Sequence, residues 1–407
     1  MSLPLTRRQF SLASMATLGL SLGHLSGCKE KKLNAFRVGL LTPKTGPDSQ
    51  VGLACERGAK LAEELLKEIC PSLEIIYADT ESSVDIGRTK AEKLISEGVH
   101  LLIGAHNSGV TAAIAQVCEQ RQVPFIVNIA AAPKITEQGY KYVFRNFQTT
   151  DDLTRNGLTL MNDLFEETGV KPKTATLLCI NDTYGQAMYK SVVSWLPELA
   201  LPFKLTEVIS YDPRTQDLSA EISKIKASQA ELLIPITRLK DAMLMIRECV
   251  KQRYSPMGII SPGSPGMYEK QFYKIMGEYS EYCITNTAWY NPQSPLAQKA
   301  LSIFKKKFAN EQFDLNVAFT AEAVWIAADA FKRAGASNAQ VLQRAIKETN
   351  IQERIVYGGP IAFDEKGQAL NIGSVSLQNR GGSPKIILPK QLQQEQPVFP
   401  FPAWQIH

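Results

Sequence analysis

The sequence predicts an α/β protein of two doubly wound parallel-sheet lobes joined by a three-crossover hinge, and three features carry that expectation. Short runs of Val, Ile and Leu alternate with amphipathic helical stretches from Phe36 onward. The alternation falls into two series, 36–128 and 175–261. Three segments, near 145–152, 284–295 and 356–360, break the pattern. Continuous apolar strands separated by helices are what a parallel sheet covered on both faces requires.

The first 28 residues stand apart from this scheme. Thr6-Arg7-Arg8-Gln9-Phe10 precedes a mildly apolar run, Ser11 to Leu22, and then Leu25-Ser26-Gly27-Cys28. The uncharged run is too short to cross a hydrocarbon core of roughly 30 Å, which takes about 20 apolar residues. It reads as an export signal over 1–27, outside the folded protein. The paired Arg7 and Arg8 resemble a twin-arginine signal, with Ser11 and Leu12 where that motif carries Leu and Lys. The last four residues resemble a bacterial lipobox. They imply a lipid on Cys28 and a mature protein held on the outer side of a bacterial membrane, periplasmic or at the cell surface. Several acyl chains on one cysteine anchor stably, because each buried CH₂ contributes about 0.8 kcal/mol. The alternative is a secretory signal that ends in a chance cysteine.

The folded part opens with Val38–Leu41 as a strand, followed by Val51–Ile69, whose Val51, Ala54, Leu61, Leu65 and Ile69 recur at helical spacing. Leu73–Tyr77 and Val99–Ile103 are strands, with Val84–Ser96 between them and Gly109–Gln120 after them as helices; Pro124–Asn128 closes the first series. Ala175–Ile180, Phe203–Ile209, Leu232–Ile236 and Gly258–Ser261 are the strands of the second series. Its helices are Tyr184–Trp195, Leu218–Ala227 and Asp241–Gln252. Two long helices, Gln298–Phe308 and Ala318–Ala334, come next, then a strand from Ile361 that ends in a turn at Gly367. Placing the breaks at the crossings assigns 36–150 and 285–355 to lobe 1 and 151–284 and 356–390 to lobe 2. Residues 391–407, with Pro397, Pro400 and Pro402 among Phe399, Phe401 and Trp404, read as an irregular tail lying on a lobe.

Composition narrows the function classes. Cleavage before Cys28 removes Arg7 and Arg8 from 45 basic residues and none of the 40 acidic ones, leaving 43 against 40. That balance leaves no electrostatic footprint for nucleic acid. The mature length exceeds what one hydrophobic core covers, in keeping with two lobes. Cys55, Cys70, Cys118, Cys179, Cys249 and Cys283 show no metal-ligand spacing and read as buried thiols, with one disulfide left open. Cys55 and Cys70, placed on one helix, would stand about 22 Å apart, too far to bridge. His24, His100, His106 and His407 are scattered, so neither a metal nor a cofactor is expected. No nucleophile elbow, phosphate loop or dinucleotide fingerprint is present, and the chain does not read as an enzyme.

A set of motifs in order makes the reading specific. They are Val38-Gly-Leu-Leu-Thr-Pro-Lys-Thr-Gly-Pro47, Glu56-Arg-Gly-Ala59, Tyr77-Ala-Asp-Thr80, Leu102-Ile-Gly-Ala-His-Asn-Ser-Gly109, Val143-Phe-Arg145, Asn181-Asp-Thr-Tyr-Gly185 and Phe363-Asp-Glu-Lys-Gly367. Together they resemble the type I periplasmic binding proteins, closest to the branched-chain amino acid (Leu/Ile/Val) binding proteins of ABC importers. The resemblance implies a substrate-binding lipoprotein that captures a small polar solute (an amino acid, amide or small organic acid) by lobe closure. Its partners would be the ABC permease subunits, its anchor the membrane lipid, and its state a monomer. A ligand-sensing accessory protein of the same fold is the alternative.

Ligands of open parallel sheets bind beyond the carboxyl ends of the strands, where loops meet helix N-termini. Asn107 and Ser108 follow one such strand; Ser108 either contacts ligand, as the resemblance implies, or only caps its own helix. Ala130 and Ala131 match ligand contacts by resemblance, and the small residues around them let a ligand approach the backbone. Ala131 stands where the amino-acid binders carry a Thr hydroxyl. On the second lobe Tyr184 matches an aromatic that closes over the ligand. Gly263 lies where an acid would pair with an α-ammonium, yet no Asp or Glu occurs between Glu248 and Glu269. Arg238 is read either as a fork for an anionic group or as a solvated charge at the start of a helix.

Overall fold

A computed structural model describes residues 35–404. Arg7, Arg8 and Cys28, and with them the export and lipid expectations, lie outside the described residues. The first sheet is formed by β1 (Phe36–Thr42), β2 (Leu73–Asp79), β3 (Leu101–Gly104), β4 (Phe125–Val127) and β5 (Val143–Arg145), with α1 (Ser49–Leu66), α2 (Val84–Ser96) and α3 (Ser108–Arg121) between its first four strands. Its order is β2-β1-β3-β4-β5, parallel throughout. β1, β3, β4 and β5 are buried, which is why they read as unbroken apolar runs, whereas the edge strand β2 is only half-buried. Cys70 lies beyond the end of α1, so it does not share a helix with Cys55. All six cysteines of the described residues are buried and free.

The second lobe follows α4 (Thr150–Thr168) with β6 (Thr174–Ile180), α5 (Thr183–Glu198), β7 (Lys204–Tyr211), α6 (Ser219–Ser228), β8 (Leu232–Ile236), α7 (Leu239–Lys251), β9 (Gly258–Ser261), α8 (Lys270–Met276) and β10 (Ile284–Ala288). The chain returns to the first lobe with α9 (Pro295–Lys307), α10 (Leu315–Ala334) and α11 (Ala339–Lys347), then completes the second sheet with β11 (Ser374–Asn379) and β12 (Pro384–Leu388). The order is β12-β11-β10-β9-β8-β6-β7. β11 and β12 run antiparallel, so this sheet is mixed at one edge. In each sheet the strand order reverses once, between β1 and β3 and between β6 and β8, and the crevices opened by those reversals face the cleft.

Two lobe boundaries differ from those read in the sequence. β10 pairs with β9 and β11 in the second sheet, so 285–288 belong to lobe 2 and the second crossing follows them. The strand breaks the apolar pattern because its Thr285, Asn286 and Thr287 are polar, although all three are buried; Asn286 donates to the Gly157 carbonyl at 2.7 Å and accepts from Ser376 at 2.6 Å. Val356–Gly359 sits between the second and third crossings, bonded to Trp289 and Asn371. The chain then goes back to lobe 1, where the Phe363 ring meets Phe144 at 5.5 Å and Gln368 bridges Arg145. It passes over only at 370–373.

Packing accounts for the remaining order. The Phe36 ring stacks on Phe331 of α10 with centroids 4.2 Å apart. A side chain at Gly58 would strike the Val317 carbonyl, which is how α1 and α10 come into backbone contact. Buried Glu322 of α10 pairs with Arg354 at 2.7 Å and accepts the Ile355 and Val356 amides, both at 2.8 Å, pinning the chain as it enters the hinge. The tail is irregular after a 3₁₀ turn at Lys390–Leu392 and lies on the second lobe. There Phe399 meets Phe165 at 5.3 Å, and the Phe401 amide donates to the Met257 carbonyl.

Candidate functional site

Helices α3, α5 and α7 start at the carboxyl ends of β3, β6 and β8, and all three N-termini face the space between the lobes. That space has a buried centre, a cavity of ≈ 40 Å³ lined by Ser108, Ala131, Tyr184, Arg238 and Gly263. By the volume one water needs, it holds a few waters. Ile129, Phe147, Leu153, Tyr268 and Leu315 give it an apolar wall; Thr287, Asn316 and His106 add polar groups. No Asp or Glu is among its lining residues.

Asn107, not Ser108, is the cap of α3: its side-chain oxygen accepts the Gly109 amide at 2.9 Å and the Val110 amide at 3.4 Å. Asn107 therefore lines only an adjoining cleft, with its side chain engaged in the helix. Ser108 is therefore not the cap of its own helix. As the first helical residue its hydroxyl is free of capping, accepts the Ala132 amide at 3.3 Å, and keeps its own proton to donate. Ala130 departs from expectation, because its buried carbonyl is turned toward Arg145 and the residue does not line the cavity. Ala131 does line it, while its carbonyl accepts the first amide of α4 at 2.7 Å.

Across the cleft, Asp182 caps α5 by accepting the Gly185 amide at 2.8 Å, which sets Tyr184 on the first turn. The Tyr184 hydroxyl donates to the Gly263 carbonyl at 3.3 Å. Gly263 has a φ of +132°, a conformation that favours glycine, and its carbonyl is held as the tyrosine's acceptor. Burial raises the Tyr184 hydroxyl above the usual tyrosine range, so it stays protonated.

Arg238 is not a solvated charge, and its guanidinium is already engaged by the protein. Its guanidinium pairs with Asp182 at 2.5 Å, lies 3.9 Å from Asp48 of the opposite lobe, and packs over the Tyr184 ring at 5.7 Å. Two carboxylates already face its charge, so an anionic ligand would have to displace one of them. His106 stands 3.9 Å from the same Asp48, and burial lowers its pKa, favouring the neutral ring. Sequence reading missed Asp48, His106 and Glu269. Glu269 lies in the clefts flanking the cavity, where burial, with Asp314 and Asp48 adding to it, pushes its carboxyl up to about 8. Burial thus favours its protonated form at neutral pH. The Glu two residues past Pro-Gly-Met was the only signal for it.

A family model described as periplasmic binding protein matches residues 35–375. A Leu/Ile/Val-binding protein homolog 1 of Brucella abortus is 28% identical over 341 residues, 81% of this chain and 86% of that protein. A leucine-, isoleucine-, valine-, threonine- and alanine-binding protein of Pseudomonas aeruginosa is 23% identical over 346 residues, 83% and 88% of the two chains. Among solved structures, the leucine binding protein LivK of Thermotoga maritima superposes with a TM-score of 0.75 at 22% identity, covering 86% of this chain and 97% of its own. A solute binding protein of an R. palustris ABC transporter in complex with benzoate gives 0.75 at 17% identity, covering 87% and 96%. At these identities the two structures are evidence of a shared fold.

Proposed function

This chain belongs to the periplasmic binding protein family, and from that premise we propose that it is the extracytoplasmic substrate-binding component of an ABC importer. It captures a compact monocarboxylate with an apolar body by lobe closure. One observation carries the choice of ligand: the cavity between the lobes offers Ser108 and the α3 N-terminus to an anion, and none of its lining residues is an acid. An α-ammonium buried there without a counter-charge would cost several kcal/mol. The names of the similar proteins leave room for this reading, since one is a leucine-, isoleucine-, valine-, threonine- and alanine-binding protein and another is complexed with benzoate.

Calorimetry with leucine and 4-methylpentanoate tests it, because the two differ by the α-ammonium alone. The acid is expected to bind at least ten times more tightly; a preference for leucine overturns the ligand class and leaves the fold reading intact. In the same proposal, residues 1–27 are a twin-arginine-type export signal, and lipid on Cys28 tethers a monomer to the membrane beside its permease subunits. Cys28→Ala is expected to leave an unprocessed precursor. Normal maturation and membrane fractionation of that variant would rule out the lipid anchor, and export of an Arg7→Lys, Arg8→Lys variant at the normal rate would rule out the twin-arginine route.

A further inference from the structure

Arg145, the last residue of β5, is fully buried, and no acid forms an ion pair with it. Its guanidinium instead donates to the Ala130 carbonyl at 3.3 Å, the Ala132 carbonyl at 2.8 Å, the Thr136 hydroxyl at 2.8 Å and the Gln368 side chain at 2.6 Å. The two carbonyls flank Ala131, so the fork gathers both on one side while Ala131 itself faces the cavity. Gln368 carries the connection further by donating to the carbonyl of Phe147, another residue of the cavity wall and part of the first crossing. The backbone adds to it, since the Arg145 amide donates to the Gly367 carbonyl and the Ala369 amide to the Arg145 carbonyl, both at 2.8 Å. Residues 367–369 lead directly into the third crossing at 370–373.

We propose that Arg145 is a positioning residue for ligand capture: with Gln368 as its relay, it locks the 129–132 wall of the cleft to the first and third crossings of the hinge, so that wall and hinge move as one piece. A lysine keeps the charge but cannot reach two carbonyls and an amide with one fixed fork. That the wall belongs to a ligand site rests on the proposed function; the locking itself does not.

Hydrogen exchange followed by mass spectrometry on the purified chain tests the locking without any ligand. Arg145→Lys and Gln368→Leu are compared with Phe165→Leu, a core truncation in the second lobe, each at the same margin below its own unfolding midpoint. Gln368→Leu, which leaves the buried charge in place, is expected to speed exchange at least tenfold in peptides covering 128–136 as well as in those covering 366–370. Phe165→Leu should speed neither. Acceleration confined to 366–370, or an equal response to Phe165→Leu, overturns the proposal. If Arg145→Lys does not fold, Gln368→Leu decides alone. A parallel titration with 4-methylpentanoate reports separately: absence of binding to the unmodified chain would defeat the ligand reading and not the exchange result.

Discussion

At the scale of single residues, the site depends on which polar groups the backbone has already used. Ser108 is free because Asn107 takes the capping role, and Arg238 is not free because Asp182 and Asp48 hold it. Ser108→Ala is expected to weaken carboxylate binding about 10- to 100-fold, since a hydrogen bond to a charged partner is worth about 1.5–3 kcal/mol. The buried Ala132 amide loses its acceptor as well, so the unfolding midpoint should fall modestly; calorimetry and a thermal melt check both. Glu269 predicts a pH effect. Its carboxyl rises from 4.5 to about 8 on folding, so between those values the folded chain holds a proton that the unfolded chain has released. Its contribution therefore lowers stability as pH rises through that window and is level above about 8. Glu269→Gln should gain stability relative to the unmodified protein between pH 5 and 8, and denaturant titrations showing a constant difference would contradict this. Motif order pointed to Ser108 and Tyr184, and the acid-free stretch between Glu248 and Glu269 pointed to Gly263; all three line the cavity. Asp48, His106 and Glu269 were not legible from the sequence, because they meet only when three distant loops converge.

At the scale of elements, the starts of α3, α5 and α7 place Ser108, Tyr184 and Arg238 at the cleft. Gly185 is a sensitive point: a Cβ there would run into the Ile180 carbonyl and press the start of α5 away from β6. Gly185→Ala should therefore cost about 1–3 kcal/mol as overpacking. It should also move Tyr184 and so weaken binding by more than the stability loss alone explains, as a melt and a titration on the same preparation would show. Glu322→Ala should cost about 3–5 kcal/mol by leaving Arg354 as an uncompensated buried charge at the hinge. Most elements were legible as apolar runs between amphipathic stretches. The exceptions have a common cause. β10 buries Thr and Asn instead of Val and Ile, and α4 begins in the polar Thr149–Asp152 capping box that looked like a linker. The helical period of Leu153, Leu160, Met161 and Leu164 was the signal that could have revealed α4.

At the scale of the whole molecule, the two sheets were legible and the course of the hinge was not, because crossings are defined by which sheet a strand joins and not by local composition. Arg238 of one lobe stands 3.9 Å from Asp48 of the other, the only ion pair between the lobes among the described residues. Asp182 holds the same guanidinium from within its own lobe, so Asp48→Asn should favour the open form without unfolding either lobe. The central claim is that a small solute is captured by the lobes shutting on it, and small-angle scattering of the purified chain tests it most directly, at graded concentrations of the tightest-binding acid found by calorimetry. The radius of gyration should fall with the same half-saturation as the binding heat, and Asp48→Asn should need more ligand to reach the compact value. A radius that stays constant at proven saturation would contradict capture by closure.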